Sequence, residues 1–262
     1  MRLKLYQIDA FASKPFTGNP AAVVPLSQWL PDQTMQQIAM ENNLAETAFY
    51  LPCGDHYELR WFTPNQEVDL CGHATLATAY VLFEQEGHSG PKIDFHSPRS
   101  GPLSVTKNGS MLTLDFPADT LTAVTLDQQI LDCFDLSPYA AYQGKTDLML
   151  VFEQEEQIRT LTPYFDRINQ LDVRGVIVTA PGDQVDFVSR FFAPQCAVPE
   201  DPVTGSAHTS LTPYWAQQLG KTQLEAKQLS LRSGHLSCQH LGDRVAISGQ
   251  AQLYLIGYIL IG

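Results

Sequence analysis

Polar and apolar positions alternate from Leu3 to Phe11, and a shorter, more apolar run follows from Ala21 to Val24, so both stretches predict strands. The spacing changes at Asp32. From there to Asn42 the apolar residues Met35, Ile38 and Ala39 recur at helical intervals, with an Asp near the start. Thr47 to Leu51 and Glu58 to Phe62 return to strand patterning. Gly72 then opens a helix carrying Ala74, Leu76, Ala77, Tyr80, Val81 and Leu82, apolar almost all round, and such a helix is expected to be buried. In the second half, Ser206 to Leu219 predicts a helix that begins with small residues and reaches Pro213, tolerable only near a helix start. Strands outnumber helices. The class is α+β.

The pattern is also duplicated. Arg60-Trp61-Phe62-Thr63-Pro64-Asn65 is echoed by Arg190-Phe191-Phe192-Ala193-Pro194-Gln195, Asp69 by Asp201, and Gly72 by Gly205. Downstream, Arg99-Ser100-Gly101-Pro102-Leu103-Ser104 matches Arg232-Ser233-Gly234-His235-Leu236-Ser237. A repeat of roughly 130 residues is far longer than a solenoid unit and is the size of a domain. The expectation is two like domains, residues 1–118 and 119–262, with a C-terminal strand free to return to the first. They would be related by pseudo-twofold symmetry, each a mainly antiparallel mixed sheet around a central helix.

Composition narrows the function. The net charge of −12 argues against nucleic acid as a partner. Five scattered cysteines without a CxxC pair fit a reducing, cytoplasmic setting. The opening residues read as a strand rather than a signal peptide, and Leu253 to Gly262 is too short to span a bilayer, so no membrane partner is expected. No GxGxxG, Walker or GxSxG motif occurs, which leaves nucleotide and serine-hydrolase readings without support.

The chemistry is expected at the two matched strand-to-helix turns, Asp69 to Thr75 and Asp201 to His208. In each, a glycine lets backbone pass close to a ligand, and the following helix offers unpaired N–H groups and the positive end of its dipole. Two such turns facing one cleft would hold a carboxylate and stabilise negative charge beside it. Cys71, His73, Asp201 and Ser206 lie around them, and Glu46 precedes the strand Thr47 to Tyr50. Taken alone, a carboxylate in that position is usually solvated.

Several strings resemble the phenazine-biosynthesis PhzF-like isomerases. They are Asp9-Ala10-Phe11, Phe16-Thr17-Gly18-Asn19-Pro20-Ala21-Ala22-Val23-Val24, Glu46-Thr47-Ala48-Phe49, Phe62-Thr63-Pro64, Cys71-Gly72-His73-Ala74-Thr75 and Glu200-Asp201-Pro202-Val203-Thr204-Gly205-Ser206-Ala207. The resemblance implies the diaminopimelate epimerase-like fold and a cofactor-independent isomerase, a homodimer, acting on a small carboxylate-bearing and conceivably cyclic metabolite. It implies that Glu46 is the acid/base carboxylate and that His73, Asp201 and Ser206 assist proton transfer. By the same likeness Asn19, Gly72, Ala74 and Gly205 would contact the substrate, with no metal.

Two other readings stay open. One is stereoinversion by two opposed thiols. Cys71 precedes Gly72, but Thr204 stands before Gly205, and a hydroxyl is a far weaker acid than a thiol; Cys71 is then read as a small buried residue. The other is a non-catalytic binding protein that retains the cleft. Of the remaining signals, His235, Cys238 and His240 read as a surface strand rather than a zinc site, and Glu153, Glu155 and Glu156 as a solvated face. Tyr6, Trp61 and Phe192 are aromatics available to shape a pocket.

Overall fold

A computed structural model describes residues 1–262. The chain divides into two compact units, Met1–Asp115 with Ser248–Gly262, and Phe116–Ile247. The stretch Ser248–Gly262 belongs to the first unit. No helix is long and apolar enough to cross a membrane.

The first unit comprises β1 (Arg2–Ala10), β2 (Asn19–Pro25), α1 (Asp32–Asn42), β3 (Glu46–Cys53), β4 (His56–Phe62), β5 (Glu67–Val68), α2 (Gly72–Glu84), β6 (Lys92–Ser97) and β7 (Gly101–Asn108). β8 (Met111–Pro117) leads out of it. The second unit continues with β9 (Thr122–Val124), α3 (Gln128–Leu131), β10 (Ala140–Gln143), β11 (Asp147–Val151), α4 (Glu155–Thr160), α5 (Phe165–Ile168) and β12 (Gly175–Pro181). After these come β13 (Phe187–Phe192), α6 (Ala207–Leu219), β14 (Gln223–Gln228), β15 (Gly234–His240) and β16 (Arg244–Gly249). β17 (Ala251–Leu260) closes the first unit by antiparallel pairing with β1 from Arg2↔Leu260 to Ala10↔Ala251.

The sequence repeat is a repeat of strand pairing. In the first unit β1–β2 is antiparallel, β2–β3 parallel, β3–β4 antiparallel, β4–β6 parallel and β6–β7 antiparallel. In the second, β10–β11, β11–β12, β12–β13, β13–β14 and β14–β15 follow the same alternation. Parallel neighbours need a crossover, and helices supply it: α1 before β3, α4 and α5 before β12, α2 before β6 and α6 before β14. The echoed Arg-x-Phe motif has one structural meaning in both copies. Arg60 grips Glu67 through two nitrogens and lies 5.2 Å from the Phe62 ring centre. Arg190 grips Glu200 likewise, 4.9 Å from the Phe192 ring centre. Planar guanidinium suits both the fork and the ring face.

The two central helices differ. In α2 all but two of 13 residues are buried, as its all-round apolar pattern predicts. α6 keeps Pro213 in mid-helix rather than near the start. A proline there cannot donate to the carbonyl of Thr209. That carbonyl accepts instead from the Asp119 N–H at 3.1 Å, and Ser210 Oγ donates to the Asp119 carboxylate at 2.8 Å. The group the proline leaves over is thus used to fasten the start of the second unit.

Two further expectations are corrected, and a third gains detail. Glu155 is buried, not solvated, because it pairs with Arg159 and accepts the Asp183 N–H at 2.8 Å. Tyr6, Trp61 and Phe192 are wholly inaccessible core residues and line no surface pocket. In β15, Cys238 points inward while His235 is exposed, because alternate strand residues face opposite ways.

The turn between β1 and β2 decides where β2 begins. Asp9 accepts the Phe16 N–H at 3.0 Å, and Phe16 and Gly18 both have φ of +70°. A Cβ on Gly18 would lie 2.2 Å from the Ala10 carbonyl oxygen. Gly18→Ala combines a left-handed backbone with that collision, so a loss of about 2 kcal/mol or more is expected. Urea unfolding measures it; a midpoint equal to wild type would contradict this account of the turn.

Candidate active site

Three elements of the first unit converge. Asn19 is the first residue of β2, fully buried. The parallel register Ala21↔Glu46 sets Glu46, first residue of β3, beside it. Cys71 caps α2, whose first turn holds Gly72, His73 and Ala74, all buried. The three starts bring Asn19, Glu46, Cys71 and His73 together.

His73 is the hub. Its Nε2 lies 3.1 Å from Glu46 Oε2, but the approach is not aligned as a hydrogen bond, so both buried atoms keep hydrogen-bonding capacity. On the other side of the ring, Nδ1 is 3.3 Å from the Asn19 amide nitrogen and 3.5 Å from Cys71 Sγ. The Asn19 amide can donate to a neutral imidazole or, turned over, accept from an imidazolium. Glu46 retains some exposure, about 16% of its side chain, so the pair is reachable from outside.

Charge at the cluster follows from its surroundings. Burial, seconded by the Glu46 charge, pushes the Cys71 thiol up to about 11, so at neutral pH it is a thiol and neither base nor nucleophile. Burial opposes protonation of His73, yet the neighbouring Cys71 sulfur and Glu46 carboxylate outweigh it and hold the imidazole well above its ordinary value. Near pH 7 the sulfur is neutral, and there the Glu46 carboxylate favours the imidazolium against the opposing effect of burial. Glu46, Cys71 and His73 also offer oxygen, sulfur and nitrogen donors within 4.8 Å of one another, a set with which a metal could be held.

The second unit builds a different arrangement at the matching turn. Thr204 Oγ1 donates to Asp201 Oδ2 at 2.5 Å, and the Thr204 N–H donates to Gln228 Oε1 at 2.8 Å. Gln228, fully buried at the end of β14, returns its amide N–H to the Asp201 carbonyl. Ser206 Oγ accepts from Arg174 at 3.0 Å, and Arg174 is forked onto buried Asp147. His208 donates from Nδ1 to the Thr204 carbonyl at 2.8 Å, and burial lowers its pKa to about 4, so it stays neutral. Asp201, Gly205 and Ser206 thus lie in a loop clamped from β14 and from Arg174. The structure gathers Asn19, Glu46, Gly72, His73 and Ala74 in one unit and Asp201, Gly205 and Ser206 in the other.

Two supporting residues went unread in the sequence, Arg174 and Gln228. Neither sits in a motif, and each reaches its loop from 24 or more residues away. Cys71, read as only a small buried residue, is buried but also touches His73.

The family described as phenazine biosynthesis-like protein, PhzC-PhzF, matches residues 8–257. The chain belongs to the PhzC-PhzF family. A Pseudomonas aeruginosa protein described as an uncharacterized isomerase is 51% identical over 257 residues, spanning 98% of either chain. A solved PhzF family structure from Enterococcus faecalis has a TM-score of 0.97 at 47% identity, with 100% of both chains covered. A hydroxyproline epimerase from Agrobacterium vitis has a TM-score of 0.60 at 11% identity, covering 98% of this chain and 92% of its own; it shares the fold alone. The chain is therefore an α+β protein of the PhzC-PhzF family, among relatives described as isomerases.

The raised pKa of His73 has a consequence for stability. A folded value above the unfolded one, about 6.5, contributes stability that is complete below the unfolded value and lost as pH rises through the folded one. The melting temperature of wild type minus that of His73→Gln should therefore shrink as pH rises above about 6.5. A difference that is flat, or that grows with pH, would show that Glu46 does not hold His73 charged.

Proposed function

We propose that this PhzC-PhzF protein is a cofactor-independent isomerase that moves a proton between carbons of a small carboxylate-bearing metabolite, with Glu46 as the acid/base. The observation that carries the reading is the buried Glu46–His73 contact of 3.1 Å, with hydrogen-bonding capacity left on both atoms. Catalytic contacts are commonly misaligned until substrate completes them.

In the proposed step, the Glu46 carboxylate accepts a proton from a carbon next to, or conjugated with, a carbonyl or carboxyl group. The electron pair of the broken C–H bond spreads into an enolate-like system. Glu46 then returns the proton to a different carbon of that system, so atoms and charge balance with no oxidant, reductant or second substrate. His73, as imidazolium, orients the carboxylate and stabilises the negative charge that develops. In this reading the N–H groups at the start of α2, at Gly72 and Ala74, receive an anionic group of the substrate, and Asn19 keeps the imidazole in position.

A neutral thiol at Cys71, and a Thr204 hydroxyl already donating to Asp201, weigh against two-thiol inversion. The roles that the family likeness implies for Asp201 and Ser206, assistance in proton transfer, and for Gly205, substrate contact, are separate claims. Asp201→Asn and Ser206→Ala test the first two on their own.

Glu46→Gln preserves size and removes the base. Incubation with candidate carboxylic acids in deuterated water, followed by NMR, should show carbon-bound deuterium with wild type and a loss of about 10² to 10⁴ in exchange rate with the variant. Retained exchange would remove Glu46 from the mechanism. Shifted ligand signals without exchange in the wild type would instead identify a binding protein.

A further inference from the structure

A second group of donors lies outside the cluster just described, at the hairpin between β3 and β4. Cys53 ends β3 and His56 begins β4, joined by Gly54 and Asp55. The register opposes Cys53 to His56, so both side chains leave the same face. Glu58, two residues on, returns to that face. The parallel pairing of β4 with β6 sets His96 opposite Glu58, which adds a fourth donor there. Strand register alone thus gathers a thiol, two imidazoles and a carboxylate.

The side chains use that placement. A Cys53 sulfur, a His56 ring nitrogen and a Glu58 carboxylate oxygen lie within 4.8 Å of one another. Glu58 Oε1 is 3.4 Å from His56 Nε2 and 3.2 Å from His96 Nδ1. A tetrahedral zinc ion with bonds of about 2.0 to 2.3 Å holds its donor atoms about 3.3 to 3.8 Å apart. Two of the edges are already near that length. Asp55 adds what such sites need around them, since its carboxylate lies 3.2 Å from His56 Nδ1, which orients the ring and leaves Nε2 for a ligand.

We propose that Cys53, His56, Glu58 and His96 form a surface site for a late first-row divalent transition metal of the zinc class. The donor set decides the class. Sulfur and imidazole suit zinc, cobalt or nickel, whereas magnesium and calcium take oxygen ligands. On binding, the Cys53 thiol gives its proton to solvent, and thiolate plus carboxylate neutralise the divalent charge. Cys53 is exposed and the other three side chains are partly so, which leaves an open route for the ion. The Cys-x₂-His-x-Glu spacing is visible in the sequence. The fourth ligand is not, because it comes from another strand.

Cobalt titration of the full-length, metal-free, reduced protein tests this, since thiolate-to-cobalt charge transfer and tetrahedral d–d bands report both sulfur ligation and geometry. One equivalent of cobalt should produce both, and zinc should bleach them. Cys53→Ser should abolish the charge-transfer band, His96→Ala should weaken binding about 10-fold or more, and Cys71→Ser should bind like wild type. Circular dichroism confirms that each variant is folded; a hairpin-tip serine leaves the core untouched. The proposal is overturned if wild type gives no charge-transfer band, or if Cys53→Ser retains it. It is equally overturned if Cys71→Ser removes it, for the metal would then sit at Glu46, Cys71 and His73.

Discussion

A carboxylate and an imidazole 3.1 Å apart, both largely out of water, hold their places only if the backbone beneath them is fixed. Much of the first unit meets that demand. Asp9 and the left-handed residues Phe16 and Gly18 set the start of β2, the parallel register carries Glu46 beside it, and α2 delivers His73 from within the core. Each part is ordinary. Their convergence makes the pair; burial leaves Cys71 a thiol, and the flanking sulfur and carboxylate raise His73 against burial.

Duplication explains the scaffold but not the chemistry. Both units alternate antiparallel and parallel pairings in the same order, and both fasten a strand end with an Arg–Glu fork over a phenylalanine. At the equivalent turn the copies diverge. Cys71-Gly72-His73 sets an imidazole against the Glu46 carboxylate, whereas Thr204-Gly205-Ser206 builds a hydrogen-bonded clamp with Gln228 and Arg174. A duplicated backbone can carry unlike side chains because strand pairing uses main-chain groups common to every residue except proline.

The same separation governs the four donors at the hairpin tip. Their arrangement follows from register and alternation, and no step of the proposed proton transfer calls on it. Their face of β3, β4 and β6 is partly exposed, so an ion can reach them from solvent.

What the sequence determined by itself was whatever depends on neighbours along the chain. The span of α1, the burial of α2, the internal repeat and the α+β class were all legible, because helical and strand periodicities and turn residues act over a few positions. His73 was legible as a candidate from its place in the repeated turn, and Glu46 chiefly through a family likeness, since nothing local distinguishes it from a solvated carboxylate. Tertiary structure alone decided that they touch, that Glu155 is buried against Arg159, that Pro213 is accommodated by Asp119, and that His96 meets Glu58. Those outcomes turn on strand register between distant segments, where a slip of one residue would send every side chain to the opposite face.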